Sequence, residues 1–361
     1  MTTVNDLRNQ NMLLKEQYMR HRSKKRLFII ILIPVVIILI GSAIAFGSAD
    51  IKFLDVYAAV FRKLFPGLLD AQGAGHIEII IWKFRLPRVL MGVLAGMALG
   101  ASGAVMQVVL RNPLADPYML GISSAAGFGA SLAMVLGVGV VSGPYMIMGN
   151  AFLFSCLSSG LILALSSRRG ASPEKMILTG LALLFFFQAM TTIIQYFGDS
   201  DAVKAAVFWT VGDLGKSNWN KIGITAPLAF LGVLLLIWKS NDLNIMNTGD
   251  ASAKSLGINV HQTRVFTMVV CTLMVAGIVS FTGTIGFIGL VSPHIVRMII
   301  GSDNRILVPA SGLVGALLLV LSDTIARTII SPVILPVGAV TAFLGVPLFV
   351  YLIMKQKGGL T

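Results

Sequence analysis

The sequence predicts an all-helical, polytopic membrane protein with about ten transmembrane helices and both termini in the cytoplasm. Hydrophobic residues make up 56% of the 361 positions, charged residues make up only 12%, and the mean hydropathy is +0.87. Soluble domains carry roughly 25% charged residues, whereas a membrane-spanning helix needs about 20 apolar residues. The composition and the length therefore favour a chain that crosses a membrane many times.

Ten apolar runs mark the expected spans. They cover about residues 28–47, 88–109, 116–139, 145–166, 175–197, 221–238, 264–283, 287–300, 306–326 and 337–354. We expect a cytoplasmic tail at 1–27, one transmembrane domain at 28–355 and a C-terminal tail at 356–361. Basic residues cluster directly before the first run, which predicts a cytoplasmic N-terminus. An even number of spans returns the C-terminus to the same side.

The formal net charge of +13 could indicate an anionic partner such as nucleic acid. The basic residues lie in short clusters between apolar runs, however, which is how a membrane protein sets its orientation. We therefore expect contact with membrane lipid and none with nucleic acid. Between the first two runs, apolar residues of segment 48–87 recur at helical spacing, which predicts an amphipathic helix at the outer interface.

Signatures of catalysis are missing from the sequence. Residues 212–217 resemble the end of a phosphate-binding loop, but Thr210 stands where that motif requires glycine. The four histidines do not pair with one another, with cysteine or with a carboxylate at metal-ligand spacing. We therefore expect no catalytic residue, no metal site and no cofactor bound by this chain.

Small and polar residues within the second run are candidates for lining a pathway. Gly96 and Gly100 lie on one helix face, where small residues let helices approach closely. Gln107 is polar, and polar groups inside spans usually face the bundle interior. Tight helix packing and helix–helix hydrogen bonding are the structural alternatives.

Specific motifs occur in both halves of the chain. The first half contains Arg-Leu-Pro-Arg at 85–88, Arg-Asn-Pro-Leu-Ala-Asp-Pro at 111–117 and Leu-Gly-Ile-Ser-Ser at 120–124. The C-terminal third contains Gly-Thr-Ile-Gly-Phe-Ile-Gly-Leu at 283–290, Val-Ser-Pro-His at 291–294, Asp-Thr-Ile-Ala-Arg at 323–327, Leu-Pro-Val-Gly at 335–338 and Gly-Val-Pro-Leu-Phe at 345–349. In this order, over about residues 50–355, the motifs resemble the permease subunits of type II ATP-binding-cassette (ABC) importers for iron–siderophores, haem and cobalamin.

The resemblance implies a multi-pass protein of a prokaryotic cytoplasmic membrane. Its implied partners are a second copy or a close paralogue, two cytoplasmic ATPase subunits that use ATP and Mg, and an extracytoplasmic substrate-binding protein. The expected substrate is a ferric siderophore, with haem and cobalamin as alternatives. An ion-coupled secondary transporter is a remote alternative, since it needs ionisable groups near mid-membrane, and Asp323 is the nearest candidate.

The loop at 240–262 resembles the segment through which the family couples to its ATPase. The matching positions are Gly249, Asp250, Ala253, Lys254, Leu256 and Gly257. Lys254 stands where the family usually has arginine, so the bidentate fork of a guanidinium is absent there. Without the family, this segment is a short polar loop helix.

Arginines at the outer ends of two spans match those with which the family binds its substrate-binding protein. They are Arg85, Arg88 and Arg327. Snorkelling at the interface and an ion pair between Arg327 and Asp323, one helical turn away, are the alternatives. Asn112 is expected to shape the inner turn and, with Gln107, Gly96 and Gly100, is a candidate for the pathway.

Overall fold

A computed structural model describes residues 27–47, 51–65, 75–167 and 172–355. Within these ranges all regular secondary structure is helical. The C-terminal tail predicted at 356–361 and the N-terminal tail, apart from Leu27, lie outside the described residues.

The described residues form fourteen helices. They are α1 (Leu27–Ala45), α2 (Phe53–Leu64), α3 (Gly75–Val109), α4 (Ile122–Leu136), α5 (Met146–Ser167), α6 (Pro173–Tyr196), α7 (Ser200–Thr210), α8 (Trp219–Trp238), α9 (Ser240–Met246), α10 (Asp250–Ser255), α11 (Val260–Thr282), α12 (Ile288–Ile300), α13 (Asn304–Thr328) and α14 (Val337–Lys355). Helix α3 contains a π-helical stretch at Ile81–Arg85, and a 3-10 turn at Pro117–Leu120 precedes α4.

Each predicted span coincides with one of these helices. Among the described residues, seven are long and apolar enough to cross a membrane: α1, α3, α5, α6, α8, α11 and α13. Helices α4, α12 and α14 are shorter apolar helices, so the number of ten crossings stays a prediction.

Two helix starts differ from the predicted spans by more than four residues. Helix α3 begins at Gly75 rather than at 88, because Arg85 and Arg88 are accommodated within the fold instead of ending the helix. Helix α4 begins at Ile122 rather than at 116, because Gly121 adopts a left-handed φ of 67° after the 3-10 turn. The amphipathic helix expected within 48–87 is present as α2.

Helices α3, α11 and α13 form the centre of the bundle. The most apolar stretch of α3 is 83% buried, against 28% for α1 and 11% for α6. Helix α3 packs against α13, α12, α11 and α8. It therefore runs through the interior from one end of the bundle to the other.

Glycines bring α3 into direct contact with the backbones of its neighbours. A Cβ atom added at Gly96 would overlap the carbonyl oxygen of Gly315, and one added at Gly100 would overlap that of Ser311, both on α13. Gly103 faces the backbone of Gly289 on α12 in the same way. Gly96 and Gly100 thus face a neighbouring helix, as the packing alternative expects.

Substituting Gly96 with alanine should destabilise the protein, since the new methyl group must push α3 away from α13. Overpacking of this kind costs about 1–3 kcal/mol. The matched control is Gly223→Ala in α8, where a Cβ would meet no heavy atom within 4 Å. There the gain in helix propensity should give about 0.5–1 kcal/mol of stabilisation. Thermal unfolding in detergent measures both, and equal melting temperatures for the two variants would contradict the close contact.

Candidate functional site

The C-terminal end of α3, which is the inner end in the predicted topology, is closed by an arginine in a conformation that usually requires glycine. Arg111 has a φ of 48°, in the left-handed region. Its N–H donates to the carbonyl of Val108, and the N–H of Asn112 donates to that of Gln107. These bonds form a Schellman C-cap, in which glycine normally occupies the left-handed position. The strained backbone places the guanidinium of Arg111 over the loop that precedes α10.

Asp250 is the centre of a three-residue ion cluster at this end. Its Oδ1 accepts hydrogen bonds from Nη2 of Arg111 at 2.8 Å and from Nη2 of Arg264 at 3.1 Å. Arg264 lies one turn into α11 and its side chain is only 3% exposed, whereas that of Asp250 is 30% exposed. One carboxylate therefore joins the ends of α3, α10 and α11.

Helix α10 is bounded by two glycines with positive φ. Gly249 precedes it with a φ of 114°, and Gly257 follows it with a φ of 84°. The N–H of Gly257 donates to Lys254 and that of Ile258 to Ala253, which gives a second Schellman cap. These two glycines thus set the direction in which the chain enters and leaves α10.

Side chains of α10 divide between the bundle and the surface. Ala253 is fully buried, whereas Lys254 and Leu256 are exposed, Leu256 by 65%. Helix α9 is fixed to α13 through Asn244, whose Nδ2 donates to Asp303 and whose Oδ1 accepts from the N–H of Asn304. Residues 240–262, the predicted coupling segment, therefore expose the cation of Lys254 and the apolar side chain of Leu256, and contacts with the bundle hold the segment in place.

A cavity of about 490 Å³ lies beside the coupling segment. Among the residues that line it are Gln107, Arg111, Asn112, Gly249, Arg297 and Ser302. Gln107 accepts a hydrogen bond from Nη2 of Arg297 at 2.8 Å, which joins α3 to α12. The side chain of Asn112 accepts from the N–H of Leu114 and shapes the turn, as expected. The structure brings these two pathway candidates to one cavity wall and leaves Gly96 and Gly100 outside it.

The opposite end carries a second ion cluster, built around Asp323 of α13. Arg88 donates to it from Nη2 at 2.8 Å and from Nε at 3.0 Å, and Arg327 donates from Nε at 3.0 Å. The Asp323 side chain is 3% exposed. The internal ion pair between Arg327 and Asp323 is therefore present, and Arg88 joins it.

Arg85 and Arg327 also cap α1. Arg85 donates from Nη1 to the carbonyls of Ile44 and Ala45, and Arg327 donates to those of Ala43 and Phe46. The last carbonyls of a helix have no partner within it, and cations are favourable at that end of the helix dipole. All three arginines predicted to bind a partner protein thus also have bonds within the chain.

Residues 212–217, which resemble the end of a phosphate-binding loop, lie beside a second cavity of about 740 Å³ near Arg88. Its Gly215 N–H donates to the carboxylate of Asp213 within the same loop, and the N–H of Asp213 donates to Thr282. The loop therefore uses its own carboxylate, that of Asp213, as a hydrogen-bond acceptor. Within the described ranges, no group of three or more His, Cys, Asp or Glu side chains is arranged to hold a metal ion.

Sequence patterns did not identify two of these long-range pairs. Arg88 and Asp323 are 235 positions apart, and Gln107 and Arg297 are 190 apart. The available signal was that each is a polar residue within or beside an apolar run. Such groups need partners inside a membrane protein, although their identity does not follow from local spacing.

Comparison with known proteins places this architecture in one family. The sequence profile of the FecCD transport family matches residues 34–355. The chain belongs to the FecCD transport family. This FecCD chain is therefore a multi-pass membrane protein and the permease subunit of an ABC importer.

Two curated relatives and one solved structure illustrate the similarity of this FecCD chain. It is 33% identical over 340 residues to the Fe(3+)-citrate import system permease YfmD of Bacillus subtilis, covering 94% of this chain and 98% of that one. It is 39% identical over 291 residues to the vitamin B12 import system permease BtuC of Klebsiella pneumoniae, covering 80% and 86%. A solved ABC transporter assigned to the metal-chelate type, in an inward-facing conformation, has a TM-score of 0.80 at 28% identity, covering 91% and 99%.

Replacing Asp323 by asparagine should destabilise this FecCD chain strongly, because it leaves Arg88 and Arg327 buried without a countercharge. Removing one partner of a buried pair costs about 3–5 kcal/mol. The control is Glu78→Gln, which breaks the half-exposed pair with Arg62 and should cost less than about 1 kcal/mol. Thermal unfolding of both variants in the same detergent is the measurement, and similar losses for the two would contradict the assigned role of Asp323.

Proposed function

We propose that the chain forms the transmembrane pathway of an importer that moves a ferric siderophore across the cytoplasmic membrane. A second copy or a close paralogue completes the pathway. Two cytoplasmic ATPase subunits hydrolyse ATP with Mg, and an extracytoplasmic binding protein delivers the substrate. The chain itself supplies no catalytic residue and no cofactor. Haem and cobalamin are the alternative substrates.

The observation that supports this proposal most directly is the attachment of the coupling segment to several long helices. Asp250 joins α10 to α3 and α11, and Asn244 joins α9 to α13. A partner that pushes on Lys254 and Leu256 would therefore move three long helices together. Alternating access requires this behaviour, because small displacements at a partner interface must become a movement of whole elements.

The outer cluster supports docking of an acidic binding protein. Arg85, Arg88 and Arg327 lie at one end of the bundle with Asp323, which pairs with Arg88 and Arg327, whereas Arg85 binds main-chain carbonyls. An excess of positive charge there would steer a partner that carries carboxylates on its docking surface. Within the proposal, Arg85 and Arg327 anchor α1, and all three arginines supply this charge.

A secondary transporter explains the same residues less well. Such a protein uses ionisable groups near mid-membrane to bind its driving ion. Asp323, the acid nearest to that role, is occupied by two arginines. Its charge is compensated within the fold, which favours a structural role over ion binding.

Purification of the tagged chain from its native membranes in a mild detergent tests the proposal as a whole. We expect an ABC ATPase and an extracytoplasmic binding protein to be recovered with it and identified by mass spectrometry. We expect that binding protein to carry a ferric siderophore, identified by native mass spectrometry. Haem or cobalamin in its place would select an alternative substrate, and recovery of the chain alone after cross-linking would favour the secondary transporter.

Variants of α10 test the coupling assignment. Lys254→Glu and Leu256→Ser change exposed side chains, so folding should be retained while binding of the ATPase weakens. Losing an anchor side chain at an interface costs about 2 kcal/mol of binding free energy, so the affinity should fall by roughly tenfold or more. The readouts are ATPase co-purification and substrate uptake in reconstituted vesicles.

His261→Ala is the matched control, because His261 is also exposed but lies in α11, outside the positions that match the coupling motif. It should leave recovery of the ATPase and uptake unchanged. Normal uptake in both α10 variants would remove the coupling role from this helix.

A further inference from the structure

We propose that the inner cavity beside the coupling segment binds a phosphate group, supplied either by free phosphate in the cytosol or by the headgroup of an anionic lipid. The cavity has a volume of about 490 Å³ and lies between the inner ends of α3, α12 and α13 and the loop before α10. The proposal does not depend on the transported substrate, because this site lies at the inner surface and is defined by its own donors.

Charge is the first observation that supports an anion. Arg111, Arg264 and Arg297 lie in or beside the cavity, and Asp250 is the carboxylate that pairs with the first two. Among the described residues Arg297 forms no salt bridge, and its side chain donates a hydrogen bond to Gln107. The positive charge at the cavity wall therefore exceeds the negative charge.

Gln107 supplies an independent observation. It is 4% exposed and lines the cavity. Arginine can only donate, so the amide oxygen of Gln107 must face Arg297 and its Nε2 must point elsewhere. That Nε2 is buried and has no hydrogen-bond partner. A buried donor without an acceptor is unfavourable, and an oxyanion in the cavity would supply the acceptor after a small rotation of the side chain.

The type and geometry of the donors favour phosphate over a spherical ion such as chloride. Guanidinium groups present parallel N–H donors that match the oxygens of a phosphate. The Arg297 fork, the Gln107 amide and the Arg111 fork belong to the same cavity wall. A tetrahedral anion offers several oxygens to such donors, whereas a single atom cannot satisfy two forks.

The position of the cavity makes both sources of phosphate available. Its walls are the inner helix ends and the polar turns at Arg111–Asn112 and at Asn247–Gly249, which lie at the cytoplasmic surface in the predicted topology. Free phosphate reaches such a site from the cytosol, and lipid headgroups lie at the same depth. A phosphate bound there would add a contact between α12 and the segment that carries Asp250.

The test measures thermal unfolding of the purified full-length chain with two probes. The first is sodium phosphate against sodium chloride at equal ionic strength in detergent. The second is nanodiscs of a phosphate-free galactolipid, with and without phosphatidylglycerol. A ligand that binds only the folded state raises the melting temperature, so we expect a rise of several degrees with at least one probe.

Three variants that each lower the net charge by one unit distinguish this site from general surface attraction. Arg297→Gln should abolish the rise by removing the main cation. Gln107→Glu should abolish it as well, because the new carboxylate pairs with Arg297 and takes the place of the anion. The control is Arg305→Gln, since Arg305 is exposed at the same surface, bonds to Asn241 and does not line the cavity. The control should respond as the wild type does.

The outcomes separate the sources and can overturn the site. A rise with free phosphate identifies a soluble anion, and a rise with phosphatidylglycerol alone identifies a lipid headgroup. If Arg297→Gln does not fold, Gln107→Glu carries the test, because it keeps the cation and adds a stabilising partner. No rise with either probe, or an equal rise in Gln107→Glu and in the wild type, overturns the proposal.

Discussion

The contact on which the rest of this structure depends is the close approach of α3 to α13. Gly96 and Gly100 carry no side chain at this contact, so the carbonyls of Gly315 and Ser311 lie directly against α3. In lipid, apolar burial contributes little to helix association, and close van der Waals contact is the main source of stability. Both ion clusters are formed at the ends of this pair.

At one end, Asp323 of α13 binds Arg88 of α3. At the other, α13 begins beside Asn244 of the coupling segment, and α3 ends in Arg111, which binds Asp250. The same two helices therefore extend from the proposed docking surface to the proposed ATPase surface. Polar groups are placed where they fix the helix ends, and the glycines are placed where they fix the distance between the helices. Packing and charge thus define one helix pair that connects the two proposed partner surfaces.

The general organisation could be predicted from the sequence because it depends on local patterns. Apolar runs long enough for a bilayer predicted a helix at each proposed span, and the family resemblance located the short loop helix within 240–262. Partners in space could not be predicted in this way. Nothing near Gln107 in the sequence indicates Arg297, and the buried setting of Arg85 and Arg88 made the predicted span start too late. Spacing identifies which residues share a helix face, whereas the neighbour of that face depends on how distant helices pack.

The attachment of α1 has a consequence for how this region can change in evolution. Arg85 and Arg327 hold its outer end by binding main-chain carbonyls, and these groups are present whatever the side chains are. The helix is also mostly exposed at its surface. Its amino-acid identities are therefore free to drift among apolar residues, while the two arginines that recognise its backbone are under constraint. Sequence divergence in α1 would then accompany an unchanged position in the fold.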